Sequence, residues 1–268
     1  METQIAKLVD GTEVPLLVSA RIPSGFRHGF TMRAGGVSRA PFDSLNLGFK
    51  WGDDPACVSE NHRRLLAASC AERMLRASQV HGVNVLRVGR ADAAEVIAKR
   101  EADGLCSAET GVGLSIHVAD CTPILLACER TGACAALHAG WRGTVAGMAR
   151  AGVAALAASF GCRPRDMVAV LGPCIGACCF EVGPEVEAEF AARIPQAWSD
   201  QVFVLTTGRK TRIDLRARQR LELLAAGLAD ENIDASTQCT LCDPARRFFS
   251  FRAAGRATGQ SVGFIVRA

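Results

Sequence analysis

Three apolar runs in the middle of the chain, Val112–Val118, Pro123–Cys128 and Ala133–His138, constrain the fold more than any other feature. Each is too short for an independent helix, and polar turns, Ala119-Asp120-Cys121-Thr122 and Glu129-Arg130-Thr131-Gly132, separate them. They read as strands. Leu16–Arg33 is further strand material, Met167–Leu171 is a buried-type strand, and Phe248–Arg252 and Ser261–Val266 close the chain as strands. Ser78–Gly89 is a strand candidate in which His81-Gly82 marks a bulge that re-aims a side chain. Helices are predicted over Asp54–Arg73, opened by Asp54 before Pro55, and from about Thr144 to Phe160, with Met148, Val153 and Leu156 on one stripe. Two more are predicted from Pro184 to Arg193 and over Leu215–Leu228. Strands outnumber helices and are partly hairpin-linked. This predicts an α+β fold, mixed β-sheets layered with helices, as one domain over 1–268. No GxGxxG or Walker loop stands in the right context, so nucleotide-cofactor readings fall away.

The net charge of +4 comes from scattered arginines without a basic run, which argues against a nucleic-acid partner. No apolar run approaches the roughly 18 residues of a membrane span, and Met1–Pro15 lacks a secretory core, so a soluble, cytoplasmic protein is expected. In that setting the twelve cysteines are mostly reduced thiols, with Cys70, Cys128 and Cys134 read as core filler. Cys239-x-x-Cys242 and the Cys174/Cys178/Cys179 group form a candidate second metal site, against which stands the lack of a matching second CxxC or a nearby histidine. Tyrosine is absent, so no phenol can act as acid, base or radical.

Only five histidines occur, and His81, His117 and His138 fall in one stretch. His81, Cys121 and His138 sit in short polar motifs, Gln79-Val80-His81-Gly82, Ala119-Asp120-Cys121 and His138-Ala139-Gly140-Trp141-Arg142-Gly143-Thr144. Two imidazoles and a thiolate suit zinc with a fourth position open, the arrangement of a catalytic site. The spacing alone contains no HxxxH or CxxC pair, so core histidines and a buried thiol, or a Cys121–His138 nucleophile–base pair, stay open at this point.

The same motifs, with Arg33-Ala-Gly-Gly-Val-Ser38, Ser44-Leu-Asn-Leu-Gly48, Gly172-Pro-Cys-Ile-Gly176, Glu181-Val-Gly183, Cys239-Thr240 and Phe249-Ser-Phe-Arg252, occur in this order over nearly the whole chain. In them the chain resembles the laccase-domain (YfiH-like) family, labelled polyphenol oxidase and also purine nucleoside phosphorylase. The resemblance implies a single laccase-domain fold and metal ligation by His81, Cys121 and His138. It also implies phosphorolysis of adenosine, inosine, guanosine and methylthioadenosine, with adenosine deamination alongside. Purine nucleosides and inorganic phosphate would be the partners, and zinc the metal, with copper as the alternative. Phe42 and Phe251 stand where the family often has tyrosine, which keeps the ring and loses the hydroxyl.

A laccase cluster with its blue copper needs about ten imidazoles, more than five histidines supply. Copper oxidation is therefore the weaker reading. Asp120 is the candidate proton shuttle for a deaminase-type attack on C6 of adenine, its bland role being to orient a neighbour. Arg33 beside Gly35-Gly36 is the candidate phosphate contact, or else a solvated arginine on a tight turn. Asn46 reads a ribose or base edge, or holds its own loop. Trp141 stacks on the purine or packs, and Arg142 pairs with phosphate or with Asp120. His117 is read as structural. Two rival classes remain: a cysteine hydrolase or deamidase on Cys121 and His138, and a cysteine-rich metal-buffering protein without turnover.

Overall fold

The computed structural model describes residues 1–204 and 210–268. One six-stranded sheet has the order β1 (Glu2–Lys7), β2 (Glu13–Val18), β3 (Phe26–Thr31), β14 (Ser261–Arg267), β7 (Val112–Val118) and β4 (Arg73–Leu75). The other runs β13 (Ile233–Ala235), β10 (Met167–Leu171), β8 (Thr122–Cys128), β9 (Ala133–Ala139), β6 (Gly104–Ser107) and β5 (Val85–Arg87), and a small two-stranded sheet pairs β11 (Phe203–Val204) with β12 (Arg212–Ile213). Both are mixed: β4 pairs with β7 in parallel, as do β5 with β6 and β10 with β13, while the remaining pairs are antiparallel.

The central strands carry apolar residues without alternation because both of their faces are covered. Along β8, Leu125 and Ala127 face the other sheet, where they join Phe30, Leu114, Ile116 and Ile265 in a shared core. Ile124, Leu126 and Cys128 point the opposite way, onto Met148, Val153 and Leu156 of the helix Met148–Phe160. On the outer face of the first sheet, Val262, Phe264 and Val266 pack with Leu65 of the helix Pro55–Ser69. That helix starts as expected, with the Asp54 carboxylate accepting from Ala56 N–H at 2.8 Å. The α+β layering expected from the sequence is observed.

Several local expectations are corrected. The helix predicted over Thr144–Phe160 is two, Trp141–Ala146 and Met148–Phe160, broken at Gly147 with φ of 95°. Ser78–Gly89 is strand only over Val85–Arg87, because His81 itself takes φ of 63° and turns the chain. Phe248–Arg252 is not a closing strand; Ser250 caps a short helix, Phe251–Ala254, by accepting from Ala253 N–H at 3.2 Å. Cys70 is no core filler: it is exposed and ends the helix Pro55–Ser69 in the left-handed region. Glu2–Lys7, too exposed to show a pattern, is an edge strand held by the register of its partner. No helix among the described residues is long and apolar enough to cross a membrane.

Candidate metal centre and its cavity

His81, Cys121 and His138 come from three separate segments, and their ligand atoms all lie within 4.8 Å of one another. His138 is near the end of β9, and Cys121 is in the tight turn that joins β7 to β8. The third segment, Val80-His81-Gly82, is shaped by Asp103, which the sequence reading missed. Its carboxylate is fully buried just before β6 and accepts from the main-chain N–H groups of Val80, His81 and Gly82 at 3.1, 2.9 and 2.7 Å. The same group accepts from His138 Nδ1 at 2.8 Å. One carboxylate therefore folds the His81 turn and orients the His138 ring, taking Nδ1–H so that Nε2 is the ring atom left for a metal once its proton is displaced. Gln79 adds a main-chain-like clasp, donating to His117 O and accepting from His117 N–H, both at 2.8 Å.

His81 Nε2 is 4.0 Å from Cys121 Sγ, and the His81 and His138 rings meet edge-on with centroids 4.9 Å apart. Gly140 is required by this closeness: a Cβ there would stand 2.6 Å from His81 Cδ2 and 3.1 Å from Cys121 Sγ. Asp120, with φ of 90°, and His81 hold left-handed backbone on either side of the group, a local strain the surrounding bonds must overcome. Burial pushes the Cys121 thiol up, but His138 and His81 beside it outweigh this and draw it down to about 6. Burial lowers His138, and the Cys121 and Asp103 charges reverse that, raising it to about 9. Burial raises Asp103, while His138 and the N–H groups of Gly82 and Val80 bring it below its ordinary value.

The trio lines a cavity of about 440 Å³, within the range of small-molecule sites. Its rim carries aromatic rings, with Phe49 and Phe251 about half exposed and Trp51 tilted against Phe251 at 5.4 Å between centroids. Arg76 also lines it, with its guanidinium over Phe49 at 5.3 Å. Burial lowers the Arg76 pKa, and no carboxylate among the described residues offsets it. His117 reaches the wall as well, held neutral by burial and by the nearby His62, and its Nε2 has no partner among the described residues.

The other residues singled out from the sequence divide sharply. Asp120 lines the cavity, but its Oδ1 accepts from Thr240 Oγ1 and its Oδ2 from Arg252 N–H, each at 2.6 Å, so it also ties two loops together. Arg33 stands elsewhere, over the Phe249 ring and paired with Asp43 at 3.1 Å, beside a separate open depression. Asn46 is buried and spent on its loop: it donates to Gly48 O and Asp53 and accepts from the N–H groups of Gly48 and Gln260. Trp141 packs against the cluster of Val145, Ile175 and Phe180, and exposed Arg142 lies over its ring at 4.2 Å. Neither lines the cavity. Arg76, Phe49 and Trp51 were missed because they lie just outside the motifs, Phe49 and Trp51 after Ser44–Gly48 and Arg76 before Gln79–Gly82.

Residues 27–268 match the family described as multi-copper polyphenol oxidoreductase laccase. The chain is 41% identical over 245 residues to the Pseudomonas aeruginosa protein named purine nucleoside phosphorylase PA4543, covering 91% of this chain and 94% of that one. It is 36% identical over 246 residues to purine nucleoside phosphorylase YlmD of Geobacillus stearothermophilus, covering 89% of each. The crystal structure of that YlmD superimposes with a TM-score of 0.87 over 95% of this chain and 96% of that chain, at 34% identity. The mouse protein named purine nucleoside phosphorylase LACC1 is 34% identical over 262 residues, and this chain spans 58% of its length.

Proposed function

The chain belongs to the laccase-domain family described as multi-copper polyphenol oxidoreductase laccase, and from that we propose that it is a zinc-dependent purine nucleoside phosphorylase with adenosine deaminase activity. Adenosine, inosine, guanosine and methylthioadenosine are its substrates, and a single cytoplasmic catalytic domain carries the reaction. The observation that carries this reading is one cavity holding the His81, Cys121 and His138 donors, an unpaired guanidinium and an aromatic rim. The donor set fits zinc: one thiol already drawn toward thiolate, one imidazole fixed by a buried carboxylate, a second within reach, and the fourth side open to the cavity. When bound, zinc supplies Lewis-acid polarisation of an oxygen ligand.

The protein's own groups do the rest. Phe49, Trp51 and Phe251 offer faces on which a purine stacks. Arg76, in place of Arg33, is the contact for the phosphate anion, because its charge faces the cavity without a carboxylate to satisfy it. In phosphorolysis a phosphate oxygen bonds to C1′ while the C1′–N9 bond breaks, its electrons passing to the base, which gains a proton. In deamination water adds at C6 and ammonia leaves. Asp120, bound to Thr240 and Arg252 and lining the cavity, orients the loop beside Cys121 and serves as the proton-transfer group.

The copper-oxidase label finds little support, since five histidines, and one His/Cys/His group among the described residues, fall short of a laccase cluster. The second reading, a cysteine hydrolase, draws on the lowered Cys121 and raised His138, the signature of a nucleophile–base pair. Adenosine incubated with zinc-loaded protein, with and without phosphate, separates the readings. Adenine with ribose 1-phosphate is expected in phosphate, and inosine without it. No turnover in either buffer, or full activity in metal-free His81→Ala, refutes the proposal.

A further inference from the structure

The proposed reaction leaves four cysteines unused. Cys178 and Cys179 lie after Gly176, Cys239 and Cys242 lie in the loop beyond β13, and their four Sγ atoms are all within 4.8 Å of one another. Cys178 Sγ and Cys242 Sγ are 3.5 Å apart. Four thiolates on a tetrahedral zinc at about 2.3 Å stand about 3.8 Å from each other, so side-chain adjustments alone complete the polyhedron.

Main-chain contacts bring the two loops together independently of the sulfurs. Cys174 pairs with Cys239 as an isolated parallel bridge, and Thr240 N–H donates to Cys174 O at 3.0 Å. Gly176 N–H donates to Cys239 Sγ at 3.2 Å, an orientation that stabilises a thiolate. A Cβ on Gly176 would meet Cys178 Sγ at 3.2 Å and Arg216 Nη2 at 3.0 Å, so this glycine admits both the sulfur and a guanidinium. Arg216 is anchored there by donating to Ser236 O and Gln238 O. It offers positive charge to the net negative charge of a zinc tetrathiolate.

We propose that Cys178, Cys179, Cys239 and Cys242 bind a second zinc ion as a closed tetrathiolate site, separate from His81, Cys121 and His138. With no open position, it is structural. It clamps the loops that hold the neighbour of Cys121: Thr240, between two of the cysteines, donates to Asp120 Oδ1, and Ile175 N–H donates to Asp120 O at 2.9 Å.

The test holds whether or not the first group binds metal. The His81→Ala/His138→Ala variant of the chain is loaded with zinc, desalted and analysed for metal and free thiols. About one zinc per chain is expected, and none when Cys178→Ser and Cys242→Ser are added; both are exposed positions. Cobalt titration of the unmodified chain gives a second measurement that needs no variant. It should show a phase with the intense sulfur-to-cobalt charge transfer of four thiolates. Absence of that phase, a metal-free His81→Ala/His138→Ala variant, or a mass lower by two hydrogens with blocked thiols, meaning a Cys178–Cys242 disulfide instead, overturns the proposal.

Discussion

Replacing Asp103 by Asn changes a single atom type in a buried group that four donors share, and the structure fixes what must follow. Oδ1 accepts from His81 N–H and His138 Nδ1, and Oδ2 accepts from Val80 N–H and Gly82 N–H. An amide has one acceptor oxygen, so its NH₂ must face one of these pairs. If the NH₂ faces His138, it donates to Nδ1, the proton moves to Nε2, and the ligand atom is blocked. If it faces Val80 and Gly82, two buried N–H groups lose their partner at about 1–3 kcal/mol each, and the His81 turn loosens. Either placement damages the candidate metal centre. Loss of such a supporting carboxylate lowers metal affinity about 10–100-fold, which is about 1.4–2.7 kcal/mol. Unfolding stability should fall by about 2–6 kcal/mol where the N–H groups are orphaned. Zinc competition against a chromophoric chelator at neutral pH gives the first quantity, and urea unfolding gives the second. Zinc affinity within about twofold of the wild type would refute the reasoning, because it would mean that neither the His138 tautomer nor the His81 turn depends on Asp103.

Arg76→Ala should raise the KM for phosphate about 10–100-fold, the scale of a lost charge-assisted bond of about 1.5–3 kcal/mol, while Arg33→Ala leaves it unchanged. The reverse ranking in initial-rate kinetics would return the phosphate site to Arg33. Gly140→Ala should prevent metal loading while leaving the thermal transition of the metal-free protein nearly in place, since its Cβ collides with His81 and Cys121 and not with the core. Full zinc content by elemental analysis counts against it. Burial holds the His28 pKa down at about 4, and Ser19 N–H donates to its Nε2 at 2.9 Å. The unfolded chain takes the proton first, so this contribution is complete above about pH 6.5 and is lost as pH falls toward 4, by about 1–3 kcal/mol. Urea unfolding across that window should be flatter in His28→Gln, and an unchanged slope excludes His28 as the source.

What the sequence showed of this molecule follows how far apart cause and effect lie along the chain. β7, β8 and β9 were legible because burial on both faces leaves an apolar run that no neighbour is needed to interpret. Gly147 hid a helix break, since a glycine inside an alanine-rich stretch looks the same whether it continues the helix or takes φ of 95°. The trio of His81, Cys121 and His138 was visible through motifs, yet the group that organises it was not: Asp103 bonds to turn residues about 22 positions upstream and to a histidine 35 positions downstream. Arg33 drew attention for the same reason: its glycine-rich setting is already accounted for by Gly36, where a Cβ would run into Ser44 O. Asp120 joins the two scales. Its carboxylate is held by Thr240 and Arg252, its carbonyl accepts from Ile175, and Cys121 follows it directly. The loops that carry the four clustered cysteines therefore reach the His81, Cys121 and His138 group in two ways, through Ile175 and Phe180 on the cavity wall and through Asp120, and a change at Cys239 or Cys242 is closest to Cys121 by way of the Thr240–Asp120 bond.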